Sequence, residues 1–137
     1  MIYGIGTDIV SVNRISKVLA RFGERFAERI LSDSELAEFS QKRDPVRFLA
    51  KRFAAKEAFS KALGVGMRMP MAWRRMGVGH DSRGKPLIVC NAELGEFMRA
   101  RGVGEGYISI ADEQDHAVAF VVLECRNVLE CRDGEVL

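Results

Sequence analysis

The most constraining feature of the chain is one long helical pattern that begins at Asp44 and ends at Gly64. Asp44 is a favourable N-cap, and the proline after it fits the first helical position, where no backbone N–H donor is needed. Apolar and alanine residues recur at helical spacing through VRFLAKRFAAKEAFSKAL, and Gly64 provides the left-handed conformation that ends many helices. Because a helix of this length must be covered on its apolar face, it predicts the organising element of the fold.

A strand pattern at the N-terminus predicts a partner for that helix. In residues 2–10, IYGIGTDIV, alternate positions fall on opposite faces, and one face carries Gly4, Gly6 and Asp8. Two glycines on one face leave room for another backbone or a ligand to approach closely. Ser11 then fits the N-cap of a further helix, so we expect a strand, a close approach and a helix in that order.

The remainder of the chain alternates short helices with strand pairs. Ser32 and Glu35 fit a capping box, which predicts a short helix. Four strands are predicted, joined in pairs by polar turns, at residues 73–79, 86–90, 107–111 and 117–124. Because hairpin neighbours outnumber crossovers, we predict an α+β fold with a mostly antiparallel sheet packed against the long helix. We expect one domain over residues 1–125 and a C-terminal tail, residues 126–137, to which the sequence assigns no role.

The composition is that of an ordinary globular protein, with 47% hydrophobic and 29% charged residues among 137. The formal net charge of +2 is too small to favour a dedicated nucleic-acid binder. No stretch approaches the ~18 apolar residues that a membrane helix needs. The three cysteines include no closely spaced pair typical of a zinc or redox site. We therefore expect a cytoplasmic protein that binds neither nucleic acid nor a membrane.

The long helix also carries residues that suggest chemistry. Glu57 and Lys61 lie one turn apart, but such a pair is commonly an ordinary surface pair, worth ~0.2–0.5 kcal/mol. Arg52 and Lys56 likewise fit a solvated basic face. If the end of the first strand meets this helix, Asp8 and Glu57 would offer two carboxylates as oxygen ligands for a metal ion. This ligand set suits Mg²⁺, which is usually bound by one or two carboxylates together with phosphate oxygens and waters. Taken alone, an aspartate at such a position is more commonly a turn or cap residue than a metal ligand.

The segment after Lys61 adds a second hint of phosphate binding. Gly64, Val65 and Gly66 expose backbone N–H groups of the kind that hold phosphates. They follow the C-terminus of a helix, where the dipole disfavours anions. A phosphate there would need Lys61, Arg52 or a metal cation to balance its charge.

Two long segments together resemble holo-acyl-carrier-protein synthase, the small bacterial 4′-phosphopantetheinyl transferase. They are GIGTDIV with the arginine and isoleucine that follow it, within residues 4–15, and FLAKRFAAKEAFSKALG at residues 48–64. The tripeptide GKP at 84–86 and SIAD at 109–112 fall where that family has its G-x-P turn and its S-[IL]-x-[HD] segment. The resemblance covers residues 1 to about 125 and rests on two motifs in the right order.

The resemblance implies a specific reaction. Enzymes of this family transfer the phosphopantetheine arm of coenzyme A to a serine of apo-acyl carrier protein and release adenosine 3′,5′-bisphosphate. By resemblance, Asp8 and Glu57 hold Mg²⁺, and Glu57 orients or deprotonates the serine, directly or through a metal-bound water. Lys61 stabilises or protonates the departing bisphosphate. The residues implied to bind or shape the coenzyme site are Arg52, Lys56, Ser60, Lys61, Gly64, Gly66, Pro86 and Asp112.

The chain departs from the family pattern at Asp112 and at Val65. Many members have histidine where this chain has Asp112, and the usual G-T-G is G-V-G at residues 64–66. The resemblance further implies a homotrimer with active sites at subunit boundaries, which the sequence alone only permits.

A basic surface for an acidic acyl carrier protein is also implied. Arg14 lies within the matched motif, whereas Arg21 and Arg25 lie outside it and fit a solvated helix face as well. Two other functions stay open. One is a non-catalytic carrier-protein or nucleotide-binding module on the same scaffold, which the intact Asp8, Glu57 and Lys61 argue against. The other is a small nucleic-acid-binding α+β domain, suggested by basic pairs such as Arg74-Arg75 but weakened by the small net charge.

Overall fold

The polypeptide alternates short helices with antiparallel strands around one long helix. The computed structural model describes residues 1–127 and residue 129. Within those residues the elements in chain order are β1 (Ile2–Ser11), α1 (Val12–Phe22), α2 (Glu24–Ile30), α3 (Asp33–Phe39), α4 (Pro45–Leu63), a 3₁₀ turn (Trp73–Arg75), β2 (Met76–His80), β3 (Pro86–Cys90), α5 (Ala92–Ala100), β4 (Val103–Asp112) and β5 (His116–Cys125).

The described strands form two antiparallel sheets. Three of them make one sheet in the order β1-β5-β4, so that the last strand in the chain is the central one. In its register Asp8 of β1 lies opposite Ala119 of β5, and Ile110 of β4 lies opposite the same alanine. The strands β2 and β3 form a separate hairpin, in which Val78 pairs with Ile88. The predicted α+β fold with an antiparallel sheet is confirmed.

Helix α4 lies against the inner face of the three-stranded sheet and forms the centre of the core. Its small residues Ala58 and Ala62 are buried. A Cβ added to Gly4 of β1 would lie only 2.0 Å from the carbonyl oxygen of Ala62, so strand and helix are in direct backbone contact. This is the close approach that the paired glycines predict, and it brings the strand of Asp8 onto the helix of Glu57.

The helix boundaries follow local capping signals. Asp44 accepts a hydrogen bond from the N–H group of Arg47 at 3.0 Å, and α4 begins at the proline after it. The same helix ends at Gly64, whose φ is 83°. Side chains also cap the starts of α1, α3 and α5, at Ser11, Ser32 and Asn91 respectively. The boundaries at Ser11, Ser32, Asp44 and Gly64 agree with the predictions, because a cap is made within one helical turn.

Two predicted strands are wrong at their starts: the strand predicted from residue 107 begins four residues earlier, at Val103, and the strand predicted from residue 73 begins later. The sequence predicts a strand from residue 73, but Trp73–Arg75 forms a 3₁₀ turn and β2 begins at Met76. The indole ring of Trp73 stacks on Phe53 with the ring centroids 4.8 Å apart, and its carbonyl oxygen accepts a hydrogen bond from Lys56. Because both contacts bind this segment to α4, strand pairing starts three residues later.

The structure describes few residues after strand β5. Strand β5 ends at Cys125, the last residue of the predicted domain. The predicted tail, residues 126–137, lies outside the described residues except for 126, 127 and 129. None of the described helices is both long and apolar enough to cross a membrane.

Candidate active site

The contact between β1 and α4 brings Asp8 next to Lys61. The ammonium of Lys61 lies 3.2 Å from Oδ1 of Asp8 and donates a hydrogen bond to the carbonyl oxygen of Thr7 at 2.9 Å. The Asp8 side chain is only 17% exposed, whereas that of Lys61 is 52% exposed. Asp8 is therefore a partly buried acid whose nearest cation can still be reached from solvent.

Glu57 completes a cluster of two acids and one cation. It lies one turn before Lys61 on α4 and is half-buried. Burial raises the pKa of the Glu57 carboxyl, the Asp8 carboxylate raises it further, and Lys61 lowers it. The two carboxyl groups thus interact through their charges. The structure brings Asp8, Glu57 and Lys61 together, as the meeting of strand and helix predicts.

The chemistry of this cluster fits a divalent cation. Two carboxylates and one ammonium leave one negative charge, and a cation between the acids would relieve their repulsion. Among the described residues, no group of three or more histidine, cysteine, aspartate or glutamate side chains could hold a metal ion. A cation at Asp8 and Glu57 would therefore take its remaining ligands from water or from a bound phosphate, as Mg²⁺ commonly does.

Two backbone N–H groups of the loop after α4 are hydrogen-bonded to the helix, whereas the sequence predicts that they are exposed. The N–H group of Gly64 bonds to the carbonyl oxygens of Ser60 and Lys61 at 3.1 Å, and that of Gly66 bonds to Ser60 at 3.4 Å. For these two glycines the expectation of free phosphate-binding N–H groups is wrong, because the amides satisfy the last carbonyls of the helix. The buried hydroxyl of Ser60 donates to the carbonyl oxygen of Glu57 at 2.8 Å.

Arg52 and Lys56 lie inside the protein, so the expectation of a solvated basic face is wrong. Lys56 is fully buried, and Arg52 is 5% exposed. Both contact Glu35 of α3, and Arg52 also donates to Glu38 at 3.0 Å. Burial lowers the pKa of Lys56, and the neighbouring Glu35 carboxylate raises it in part. In the described structure their polar groups are directed to these acids rather than to the Asp8 and Glu57 pair.

Two other predicted coenzyme residues lie in separate places. Asp112 forms ion pairs with Arg47 at 3.1 Å and with Lys51 at 3.6 Å. Pro86 borders a cavity of about 530 Å³ between β3, α5 and β4, whose lining does not include Asp8 or Lys61. Within one chain the structure thus does not bring Pro86 to the acidic cluster.

The three arginines predicted to bind a carrier protein are all exposed. Arg14 and Arg21 are on α1 and Arg25 is on α2. Of the three, Arg25 lines an apolar groove of about 450 Å³, which is formed between α1, α2 and α4 and reaches the 3₁₀ turn. Its lining residues are Val18, Phe22, Arg25, Phe26, Arg29, Ile30, Phe53 and Trp73. The region therefore combines positive charge with an accessible apolar surface.

Sequence reasoning missed Glu35 and Arg47 as organising residues. Arg47 donates to Asp112 and to the carbonyl oxygens of Glu113 and Gln114, and so ties the turn between β4 and β5 to α4. The capping box marks Glu35 as a helix residue, but no local signal shows that it is buried against two cations. Both roles depend on partners that are distant in the sequence.

The fold and site define a class of phosphopantetheine-transferring proteins. A sequence profile described as the 4′-phosphopantetheinyl transferase superfamily matches residues 4–121. The holo-[acyl-carrier-protein] synthase of Laribacter hongkongensis is 52% identical over 124 residues, which cover 90% of this chain and 99% of the relative. That of Thiobacillus denitrificans is also 52% identical, over 90% of this chain and 95% of its own length.

Solved structures show the same relationship. The crystal structure of holo-[acyl-carrier-protein] synthase from Neisseria meningitidis has 50% sequence identity and a TM-score of 0.89, and the match covers 90% of this chain and 99% of that chain. The Bacillus anthracis enzyme, solved in complex with CoA (3′,5′-ADP), has 37% identity and a TM-score of 0.77, over 91% and 98% of the two chains. The chain therefore belongs to the holo-[acyl-carrier-protein] synthase family, and the resemblance found in its sequence is confirmed.

Proposed function

We propose that this chain transfers the 4′-phosphopantetheine group of coenzyme A to a serine of apo-acyl carrier protein, with Mg²⁺ held by Asp8 and Glu57. Membership of the family defines the reaction class, which is that of a holo-acyl-carrier-protein synthase. The observation that carries the proposed mechanism is the cluster of Asp8, Glu57 and Lys61 where β1 meets α4. We expect the enzyme to act in the cytoplasm.

Each residue of the cluster has a distinct task in this mechanism. In the reaction the serine oxygen forms a new bond to phosphorus, the bond to adenosine 3′,5′-bisphosphate breaks, and the serine proton must be removed. A Mg²⁺ ion bound by the two acids would neutralise charge on the leaving phosphate. Glu57 would orient the serine hydroxyl or accept its proton. Lys61 would stabilise or protonate the departing bisphosphate.

Arg14, Arg21 and Arg25 are the proposed docking residues for the acyl carrier protein. Carrier proteins of this kind are acidic, so exposed arginines would steer their approach. The adjacent apolar groove supports this assignment, because an apolar side chain between acidic residues of the partner would have a place to bind. We therefore assign the groove and the three arginines to one docking surface that is both apolar and positively charged.

We also propose a homotrimer with active sites completed across subunit boundaries. The outer face of the three-stranded sheet exposes large apolar side chains, including Ile9 at 65% and Phe120 at 44%. Such a face is typical of an interface between subunits. The separation of Pro86 from Asp8 within one chain also favours a coenzyme site that a neighbouring subunit completes. Light scattering should give three times the chain mass, and Phe120→Lys should reduce it; a wild-type monomer would contradict the proposal.

The proposed reaction can be tested directly by mass spectrometry. Apo-acyl carrier protein incubated with the chain, coenzyme A and Mg²⁺ should gain the mass of one phosphopantetheine group, and EDTA should prevent the gain. A binding module without catalysis would form a complex with the carrier protein and leave its mass unchanged. Modification that persists in EDTA would exclude the metal from the mechanism.

A further inference from the structure

The core of the protein contains a small cluster of buried charges next to the catalytic helix face. Among the described residues, the buried charged side chains are Glu35, Arg52 and Lys56. Burying charges is costly unless they are paired and hydrogen-bonded. A cluster of this kind is therefore expected to have a purpose beyond filling space.

Glu35 is the centre of this cluster. Its Oε1 accepts hydrogen bonds from Lys56 Nζ at 2.8 Å and from the N–H group of Ser32 at 3.0 Å. Its Oε2 accepts from the N–H group of Val78 at 3.2 Å and lies 3.0 Å from Arg52 Nε, which makes an ion pair but not a directed hydrogen bond. One carboxylate thus joins α3, α4 and β2.

Lys56 is held equally firmly. Besides Glu35, its ammonium donates to the carbonyl oxygen of Trp73 at 2.8 Å and to that of Met76. An ammonium has three donors, so all of them are used. The two carbonyl groups lie where the segment that follows Gly64 returns to the core, and Lys56 therefore attaches the far end of that segment to α4.

Lys56 is the immediate neighbour of Glu57 in the sequence, so the contacts that hold Lys56 also affect the position of Glu57. Lys56 directly precedes Glu57, and successive residues of a helix point about 100° apart. A helix has a radius of about 5–6 Å with its side chains, so a rotation of about 20° would move the Glu57 carboxylate by about 2 Å. Displacement by even about 1 Å can cost a large factor in rate. The contacts of Lys56 resist such a rotation.

We propose that Glu35 and Lys56 are positioning residues for Glu57: their buried ion pair sets the rotation of α4 so that Glu57 faces Asp8 of β1. The proposal rests on the proposed role of Glu57 as a metal ligand. An apolar pair of similar volume could fill the same space, so packing alone does not require these buried charges.

The test compares metal binding with stability. The double variant Glu35→Gln with Lys56→Met removes both charges of the pair together, and the buried Arg52 keeps its ion pair with Glu38. We expect it to fold, to bind Mn²⁺ about tenfold more weakly in electron paramagnetic resonance titrations, and to need a correspondingly higher Mg²⁺ concentration for turnover. The KM for acyl carrier protein should stay within about twofold of wild type. Glu35→Asp keeps the charge but retracts the carboxylate by one methylene, and it should also weaken Mn²⁺ binding. This variant provides the test if the double variant does not fold.

Glu38→Gln is the matched control. Glu38 also pairs with Arg52 but is 46% exposed, so this variant should bind Mn²⁺ like the wild type. If the double variant or Glu35→Asp keeps wild-type Mn²⁺ affinity and only loses thermal stability, the cluster is merely structural and the proposal is overturned. If Glu57→Gln itself does not weaken Mn²⁺ binding, the failure lies instead in the proposed function.

Discussion

Gly6 of β1 packs directly on the backbone of Ala58 in α4, and a Cβ added to Gly6 would lie 1.9 Å from the carbonyl oxygen of Ala58. No side chain can be accommodated at that distance without separating the strand from the helix. The cluster of Asp8, Glu57 and Lys61 therefore depends on a glycine that has no reactive side chain of its own.

The substitution Gly6→Ala should damage both stability and activity. We expect the free energy of unfolding to fall by about 2–3 kcal/mol, because the added methyl group meets backbone rather than a flexible side chain. Turnover should fall as well, since Asp8 moves with the strand. Chemical denaturation and a carrier-protein assay measure the two effects. Gly95→Ala is the control, because that glycine lies within α5 and a Cβ added there would meet only the end of the Arg99 side chain, at 3.5 Å, so alanine should stabilise by about 0.5–1 kcal/mol.

The substitution Glu57→Gln should remove catalysis while leaving the fold intact. The amide keeps the size of the side chain but supplies neither the charge for a cation nor a proton acceptor. We expect kcat to fall by about 100- to 1000-fold, with an unchanged circular dichroism spectrum. Glu96→Gln, an exposed acid on α5, should retain full activity. Near-wild-type turnover of Glu57→Gln would remove this residue from the mechanism.

The raised pKa of Glu57 predicts a pH dependence of metal binding. The carboxyl group of Glu57 must lose its proton before a cation can bind. As the solution is acidified, a glutamate with a raised pKa is protonated earlier than an ordinary one. The affinity for Mg²⁺ should therefore start to fall at a higher pH than an ordinary glutamate would give. Asp8→Asn removes the repulsion from Asp8 and should lower the pKa of Glu57, although burial continues to raise it. Carbon-13 NMR titration of the metal-free protein measures this pKa. The same pKa in wild type and Asp8→Asn would show that the two carboxyl groups do not interact.

The substitution Arg14→Ala should weaken recognition of the carrier protein alone. Loss of one exposed charge from the docking surface should raise the KM for acyl carrier protein by roughly fivefold, a change of about 1 kcal/mol. The dependence of that KM on salt concentration should become less steep, because fewer charges are screened. Steady-state kinetics at several salt concentrations test this, with Arg101→Ala, at an exposed arginine that follows α5, as control. An equal rise in the KM for coenzyme A would contradict the assignment.

Much of the fold is predictable from short-range signals. The caps at Asp44 and Gly64, and the alternation that places Gly4, Gly6 and Asp8 on one face of β1, all appear in the structure. These signals are readable because a cap or a strand face is decided by residues a few positions apart. The same residues led to the correct family.

The orientation of the charged side chains of α4 could not be predicted in this way. Arg52 and Lys56 were expected at a surface, yet they are buried because Glu35 approaches from α3, 21 positions before Lys56. Asp112 similarly pairs with Arg47 only because the β4–β5 turn reaches the start of α4. A lysine has the same local sequence pattern whether it faces water or a buried acid, so the pattern cannot distinguish the two.

The sequence by itself determined the long helix, the strand that carries Asp8, and the family to which the chain belongs. Only the tertiary structure decided which charges of that helix meet Asp8 and which are directed into the core. The physical reason is that a buried charge is tolerated only where a partner lies within hydrogen-bond distance, and that partner is brought there by the packing of segments far apart in the chain.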